Sequence, residues 1–297
     1  MKDKRYVLNT EETLEETLND NSTFKLMLNK VPEITAFFWI IKILATTVGE
    51  TAADFLNVNL NLGLTMTTYI MSGLLILTLY FQFKSKRYVP GIYWLAVVLI
   101  SIVGTLITDN LVDNFGVPLM TTTIIFAIAL TVTFIAWFIS ERTLSIHTIY
   151  SAKREGFYWF AILFTFALGT AAGDMVAEGL NIGYLNSAIM FAAMIAIIGL
   201  SYYFFKINAV LSFWAAYILT RPLGASLGDY LSQPKEEGGM ALGTVGTSAI
   251  FLITILVVVS YLTMTKKDQK RAANEGSEDS LTEGNNGVYS EAIGEEI

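Results

Sequence analysis

The sequence predicts an all-α membrane protein: eight transmembrane helices in two parallel four-helix repeats, with both termini cytoplasmic. Three observations lead there. Of 297 residues, 54% are hydrophobic and only 15% charged, whereas soluble domains carry about 25% charged residues. Eight stretches reach the ~20 apolar residues needed to cross a hydrocarbon core of about 30 Å. An acidic motif within apolar sequence also occurs twice: Gly49-Glu50-Thr51-Ala52-Ala53-Asp54-Phe55-Leu56-Asn57 and Gly173-Asp174-Met175-Val176-Ala177-Glu178-Gly179-Leu180-Asn181, 124 residues apart.

The elements follow in order. Residues 1–32 form a polar cytoplasmic segment, with an acidic run from Glu11 to Asp20 and a short amphipathic stretch near Phe24, Leu26 and Leu28. Span 1 (33–56) is not a cleaved signal, because a polar segment precedes it and it contains Lys42 and Glu50. Span 2 (62–83) has no interior charge. Span 3 (90–112) carries Tyr93-Trp94, Gly104 and Asp109, and span 4 (118–140) is again uncharged inside. Residues 141–154 are a cytoplasmic linker. Span 5 (155–180) ends in the second acidic motif, and span 6 (183–205) is apolar. Span 7 (207–231) carries Phe213-Trp214, Arg221-Pro222, Gly224 and Asp229; its proline should kink or unwind it. Span 8 (242–264) leads into a tail, 265–297, rich in Glu, Asn, Gly and Ser, with the composition of a disordered segment.

Trp94, Gly104 and Asp109 match Trp214, Gly224 and Asp229 at an offset of 120. The repeats are thus 33–140 and 155–264. An even number of spans in each gives both the same orientation, related by an axis along the membrane normal. Sixteen of the 19 Lys and Arg fall in the segments on one side of the eight spans, and only Lys235 on the other. Positive residues stay inside, so this expects a multi-pass protein of the cell membrane with cytoplasmic termini. Spans 2, 4, 6 and 8 suit a lipid-facing layer. Spans 1, 3, 5 and 7 combine the acids with small residues that let helices approach closely, and should form the core. The aromatics Trp39, Tyr93, Trp94, Trp137, Tyr158, Trp159, Phe213 and Trp214 fall near span ends, as interfacial anchors do.

Absences narrow the chemistry. There is no cysteine, and the one histidine, His147, falls in the linker. Zinc and copper sites need His or Cys. A cation held here takes oxygen ligands, as Mg²⁺, Ca²⁺, Mn²⁺, Na⁺ and H⁺ do. The sequence has no phosphate-binding loop, nucleophile elbow or H-E-x-x-H motif, and its Gly-Asp pairs lack the pattern of intramembrane aspartyl proteases. It therefore reads as no enzyme, with no resident cofactor and no nucleic-acid partner.

Carboxylates at bilayer depth mark ion or proton pathways. Glu50, Asp109, Asp174 and Asp229 are the deepest, one per core span, with Asp54 and Glu178 one turn further out on the same faces. These six are the expected metal ligands. Asp113 follows Asp109 likewise, but Gln233 stands at its repeat position. Lys42 and Arg221 are the expected counter-ions or gates, with snorkelling as the alternative for Lys42. Neither is repeated: Phe166 takes the place of Lys42 and Ser101 that of Arg221. Four acids against two bases leave two negative charges, which one divalent cation or two protons would neutralise.

The runs Lys30-Val31-Pro32-Glu33, Lys42-Ile43-Leu44-Ala45-Thr46-Thr47-Val48-Gly49-Glu50-Thr51 and Thr220-Arg221-Pro222-Leu223-Gly224-Ala225-Ser226-Leu227-Gly228-Asp229-Tyr230-Leu231 carry a resemblance. The chain resembles, over most of 30–265, a bacterial family of multi-pass proteins known only as uncharacterised membrane-anchored proteins. In outline it is also similar to small cation exporters with Glu-x-Gly-Asp repeats, although here the glycine precedes the acid. That second resemblance implies metal export. The expected function is a secondary transporter of a hard cation, Mn²⁺ first, proton-coupled and outward. The alternative is a proton- or cation-conducting channel or sensor using the same acids. The bilayer and the cation are the expected partners, and an oligomer is compatible with the sequence.

Overall fold

The computed structural model describes residues 29–60 and 62–268. Within them eight long helices follow one another: α1 (Ala36–Asp54), α2 (Leu64–Lys84), α3 (Pro90–Asp109), α4 (Leu119–Glu141), α5 (Ala152–Asp174), α6 (Tyr184–Phe205), α7 (Ala209–Ser232) and α8 (Gly243–Thr265). No strand occurs among the described residues. Single π-helical turns, Phe55–Asn59, Asn110–Asn114 and Met175–Gly179, extend α1, α3 and α5. The amphipathic stretch expected near residues 24–28 and the tail beyond 268 lie outside the described residues.

The helix ends are written locally. Thr35 and Ser151 accept the Phe38 and Arg154 amides, and Asn208 accepts those of Val210 and Leu211. Pro90 opens α3, where its missing N–H costs nothing. Arg142, Lys206 and Lys266 end α4, α6 and α8 in the left-handed conformation, each placing a cation at the negative end of the helix dipole.

Among the described residues seven helices are long and apolar enough to cross a membrane, and the chain is a membrane protein. The exception is α7. It has the length, at 24 residues, but carries Arg221 and Asp229, both turned inward and buried. It also runs through Pro222 as unbroken helix, so the expected unwinding is absent.

The core arrangement agrees with expectation. Helices α1, α3, α5 and α7 close a ring, each packing on its two neighbours. Around it, α2 packs on α3, α4 on α5, α6 on α7, and α8 on α1. At most 22% of the outer helices' apolar windows is buried, against at least 56% for α1, α3 and α5. The outer faces are sheathed in residues such as Ile76, Ile128, Ile197 and Leu256.

The ring divides each four-helix repeat further. Four tryptophans, Trp39, Trp94, Trp159 and Trp214, recur at steps of 55, 65 and 55 residues; so do Gly49, Gly104, Gly169 and Gly224, and then Asp54, Asp109, Asp174 and Asp229. The glycines are the contact points. A Cβ on Gly49 would overlap Ser101, one on Gly104 Phe166, one on Gly169 Arg221, and one on Gly224 Thr46. Those four obstacles themselves share one repeat position, one turn before Glu50 on α1. Each inner helix therefore meets the next in the same way around a pseudo-four-fold axis. The unit is one hairpin of two helices, used four times. The 124-residue match that paired Glu50 with Asp174 and Asp54 with Glu178 is four residues out of register; Asp174 corresponds to Asp54.

At the end of the bundle bearing most of the Lys and Arg (the basic end), the ring is closed by aromatic side chains. Phe38, Tyr93, Tyr158 and Phe213 share a repeat position and are buried, and the Tyr93 and Tyr158 hydroxyls hydrogen-bond to each other at 2.5 Å. Trp94, Trp137, Trp159 and Trp214 are buried beside them. Except for half-buried Trp39, the aromatics expected as interfacial anchors are core residues, because the inner helices turn theirs toward ring neighbours and α4 turns Trp137 inward onto Phe157 and Trp214. Below this layer Lys30 forms a buried ion pair with Glu155 at 2.7 Å. Lys30 also donates to the Phe83 carbonyl at 2.9 Å, and Gln82 donates to Glu155 at 3.1 Å.

Candidate functional site

The site is a stack of side-chain tiers inside the ring, one helical turn apart. Asp113 and Glu178 stand outermost at the opposite, acidic end, exposed; the Tyr184 hydroxyl donates to Glu178 at 2.9 Å. One turn in lie Asp54, Asp109 and Asp174, half-buried, and buried Asp229. These four occupy one repeat position. The next tier holds Glu50, Thr105 and Thr170, with Ala225 at the fourth place. Below come Thr46, Ser101, Phe166 and Arg221, and below those Lys42, Val97, Ile162 and Tyr217.

Arg221 ties two tiers together. It is fully buried. Its Nη2 donates to Glu50 Oε2 at 2.8 Å, to Thr170 Oγ1 at 2.7 Å and to Thr105 Oγ1, while Nη1 donates to the Thr46 carbonyl at 3.0 Å. The three Nη2 acceptors are the three symmetry-related side chains of one tier. The fourth place, Ala225, lies on the helix that supplies the arginine. Gly169 makes room for it, since any Cβ there would strike Arg221 and the Pro222 ring. Breaking such a buried pair by removing one partner costs about 3–5 kcal/mol.

Glu50 is the acid bonded to Arg221. It stands one turn below the tier of Asp54, Asp109, Asp174 and Asp229. The group sharing this space is five acids, not four. Against Lys42 and Arg221 the formal balance is three negative charges rather than two.

Lys42 does not snorkel. It is fully buried, with Nζ 3.9 Å from the centre of the Phe166 ring and 4.2 Å from that of Tyr217. No hydrogen-bond acceptor reaches it among the described residues. The ring faces supply its attraction. Phe166, which the 124-residue register had set opposite Lys42, belongs to the Arg221 tier.

The six acids expected to act as one ligand set are thus spread over three tiers: Glu50 innermost, then Asp54, Asp109, Asp174 and Asp229, then Glu178. Among the described residues no three acidic or histidine side chains gather closely enough to hold a metal ion. The arrangement is a series of acidic tiers that ends on a buried arginine. Sequence reading missed the acceptor role of Thr46, Thr105 and Thr170. The recurring tryptophan and glycine spacing would have shown that Thr105 and Thr170 stand level with Glu50.

Residues 37–88, 92–143, 157–208 and 212–268 each match a repeat described as a Repeat of Unknown Function (DUF347). Those segments begin at the same 55-, 65- and 55-residue steps as the tryptophans, and each spans one inner and one outer helix. No curated protein and no solved structure matches the chain. The resemblance to cation exporters therefore has no matched relative behind it, whereas an uncharacterised multi-pass family agrees with the repeat.

Proposed function

The chain belongs to the family built from this repeat of unknown function, and on that premise we propose that it is a secondary transporter of a hard cation. Mn²⁺ is the first choice, carried outward across the cell membrane in exchange for protons, with the basic end cytoplasmic. The observation that carries this reading is the buried Glu50–Arg221 pair below a ring of four aspartates. The ring concentrates a cation that keeps part of its hydration shell. The cation then competes with the guanidinium for Glu50, and protons compete with both. Carboxylate and hydroxyl oxygens suit Mn²⁺.

An open cation pore would use the same acids. Arg221 weighs against it, since a guanidinium standing among the acids is a barrier to the free flow of cations. A movable ion pair fits exchange better than free flow.

The test uses purified protein in liposomes, with Mn²⁺ flux followed against an imposed pH gradient. Wild type is expected to move Mn²⁺ only with a counter-flow of protons. Glu50→Gln should abolish that flux while the protein remains monodisperse in detergent. Mn²⁺ flux unaffected by Glu50→Gln would sink the exchange site. Proton leak with no Mn²⁺ movement would replace the transporter by a proton pathway.

A further inference from the structure

A groove of about 560 Å³ opens near the basic end, between α6, α7 and the start of α1. The pseudo-four-fold axis shows why it exists. In the corner one repeat earlier, formed by α4, α5 and α7, Phe134 packs edge-on against Trp214 with ring centres 4.9 Å apart. Trp137 stacks on Phe157 in the same corner, at 6.4 Å. Advanced by one repeat, Phe134 becomes Gly199, Trp137 becomes Tyr202, Phe157 becomes Ser212 and Trp214 becomes Trp39. All four of these residues line the groove. Two of the four aromatic knobs have been replaced by a glycine and a serine. A Cβ on Gly199 would meet nothing within 4 Å. The corner formed by α2, α3 and α5 is occupied by the chain's own Lys30, bonded to the Phe83 carbonyl and to Glu155.

The groove is graded along its length. Its polar residues, Glu33, His147 and Ser212, lie at the level of the helix ends. Its deep end reaches Ala216, about 10 Å along α7 from Ala209 at ~1.5 Å per residue. Its outer wall, α6, is the most lipid-exposed helix, with 11% of its apolar window buried. Exposed apolar faces on an outer helix of a membrane protein adjoin lipid. An amphiphile with its head at the helix ends and its tail toward the membrane centre matches both the gradient and the setting.

We infer that this groove holds one acyl chain of a bilayer phospholipid from the leaflet at the basic end. The chain takes the volume that Phe134 and Phe157 fill in the sister corner, against Trp39 and between α6 and the arginine-bearing α7.

Trp39 makes the site readable. The chain has five tryptophans; the other four are at most 4% exposed. The full-length protein is reconstituted in vesicles of a phosphatidylcholine carrying bromine midway along one acyl chain, and tryptophan emission is compared with unbrominated vesicles. Wild type should lose about one fifth of its emission, the share of one tryptophan in five. Trp39→Phe should remove that quenching, which assigns it. Gly199→Leu and Ser212→Phe, each adding the apolar bulk of a sister corner, should each reduce it at least threefold. Two separate variants guard against the misfolding of either. Unquenched wild type, or quenching unchanged in both filled variants, would overturn the proposal. So would a wild-type dimer that either variant converts to a monomer, since the occupant would then be a second copy.

Discussion

A methyl group on Gly169 would overlap the Cβ and Cγ of Arg221 and press on the ring of Pro222. Overpacking of that kind costs about 1–3 kcal/mol. Gly169→Ala should therefore lower the thermal midpoint in detergent and weaken the Glu50–Arg221 pair. Gly73→Ala, where nothing lies within 4 Å, should leave the midpoint unchanged or raised. A midpoint in Gly169→Ala equal to wild type would mean the inner helices are not in contact where the ring requires it. The tiers predict a second contrast. Asp54, Asp109, Asp174 and Asp229 share one repeat position, so neutralising any one to Asn should weaken cation affinity moderately and by similar factors. Glu50→Gln should abolish binding, read by calorimetry with Mn²⁺. Four Asp→Asn variants with widely different affinities would argue against a shared tier. The acids themselves were legible in the sequence, but their levels were not. Gly49-Glu50 and Gly173-Asp174 share a pattern through residues of unequal depth, and only the packing of Gly169 on Arg221 shows which glycine is structural.

At the scale of the element, the buried Lys30–Glu155 pair anchors the stretch before α1 to the N-terminal end of α5. Lys30→Met leaves a buried carboxylate without its cation and should destabilise by about 3–5 kcal/mol, whereas Lys30→Met with Glu155→Leu should recover most of that loss. Equal destabilisation by the single and double variants, in urea or thermal unfolding, would show that the pair carries no such coupling. The division into inner and outer helices was readable from composition, because charges and small residues avoid the faces turned to lipid. The aromatic residues misled for a related reason. A tryptophan near a span end looks the same whether it meets headgroups or, like Trp94 and Trp159, a neighbouring helix. Pro222 misled differently. A proline removes one backbone donor, but packing against Gly169 and Gly173 holds α7 helical through it.

For the whole molecule, the charge bias predicts which end faces the cytoplasm. The chain lacks cysteine, so single cysteines report cleanly. Cysteines at Asn114 and Lys235 should react with an impermeant maleimide in intact cells, and one at Lys86 only after lysis. The reverse pattern would invert the proposed direction of transport. The ring also has a consequence for how the protein is made. Each outer helix covers the inner helix of the following hairpin, and α8 returns to cover α1. During synthesis α3, α5 and α7 emerge just after the helix that will shield them. The first helix, bearing Lys42 and Glu50, emerges some 200 residues before its own cover. Glu50 and Lys42 meet their partners on α5 and α7, but until α8 arrives the face of α1 that it covers must be sheltered by something other than this chain, which makes the protein a demanding client of the insertion machinery. A chain halted before Gly243 should be cleared by membrane proteases even though seven of its eight helices are complete.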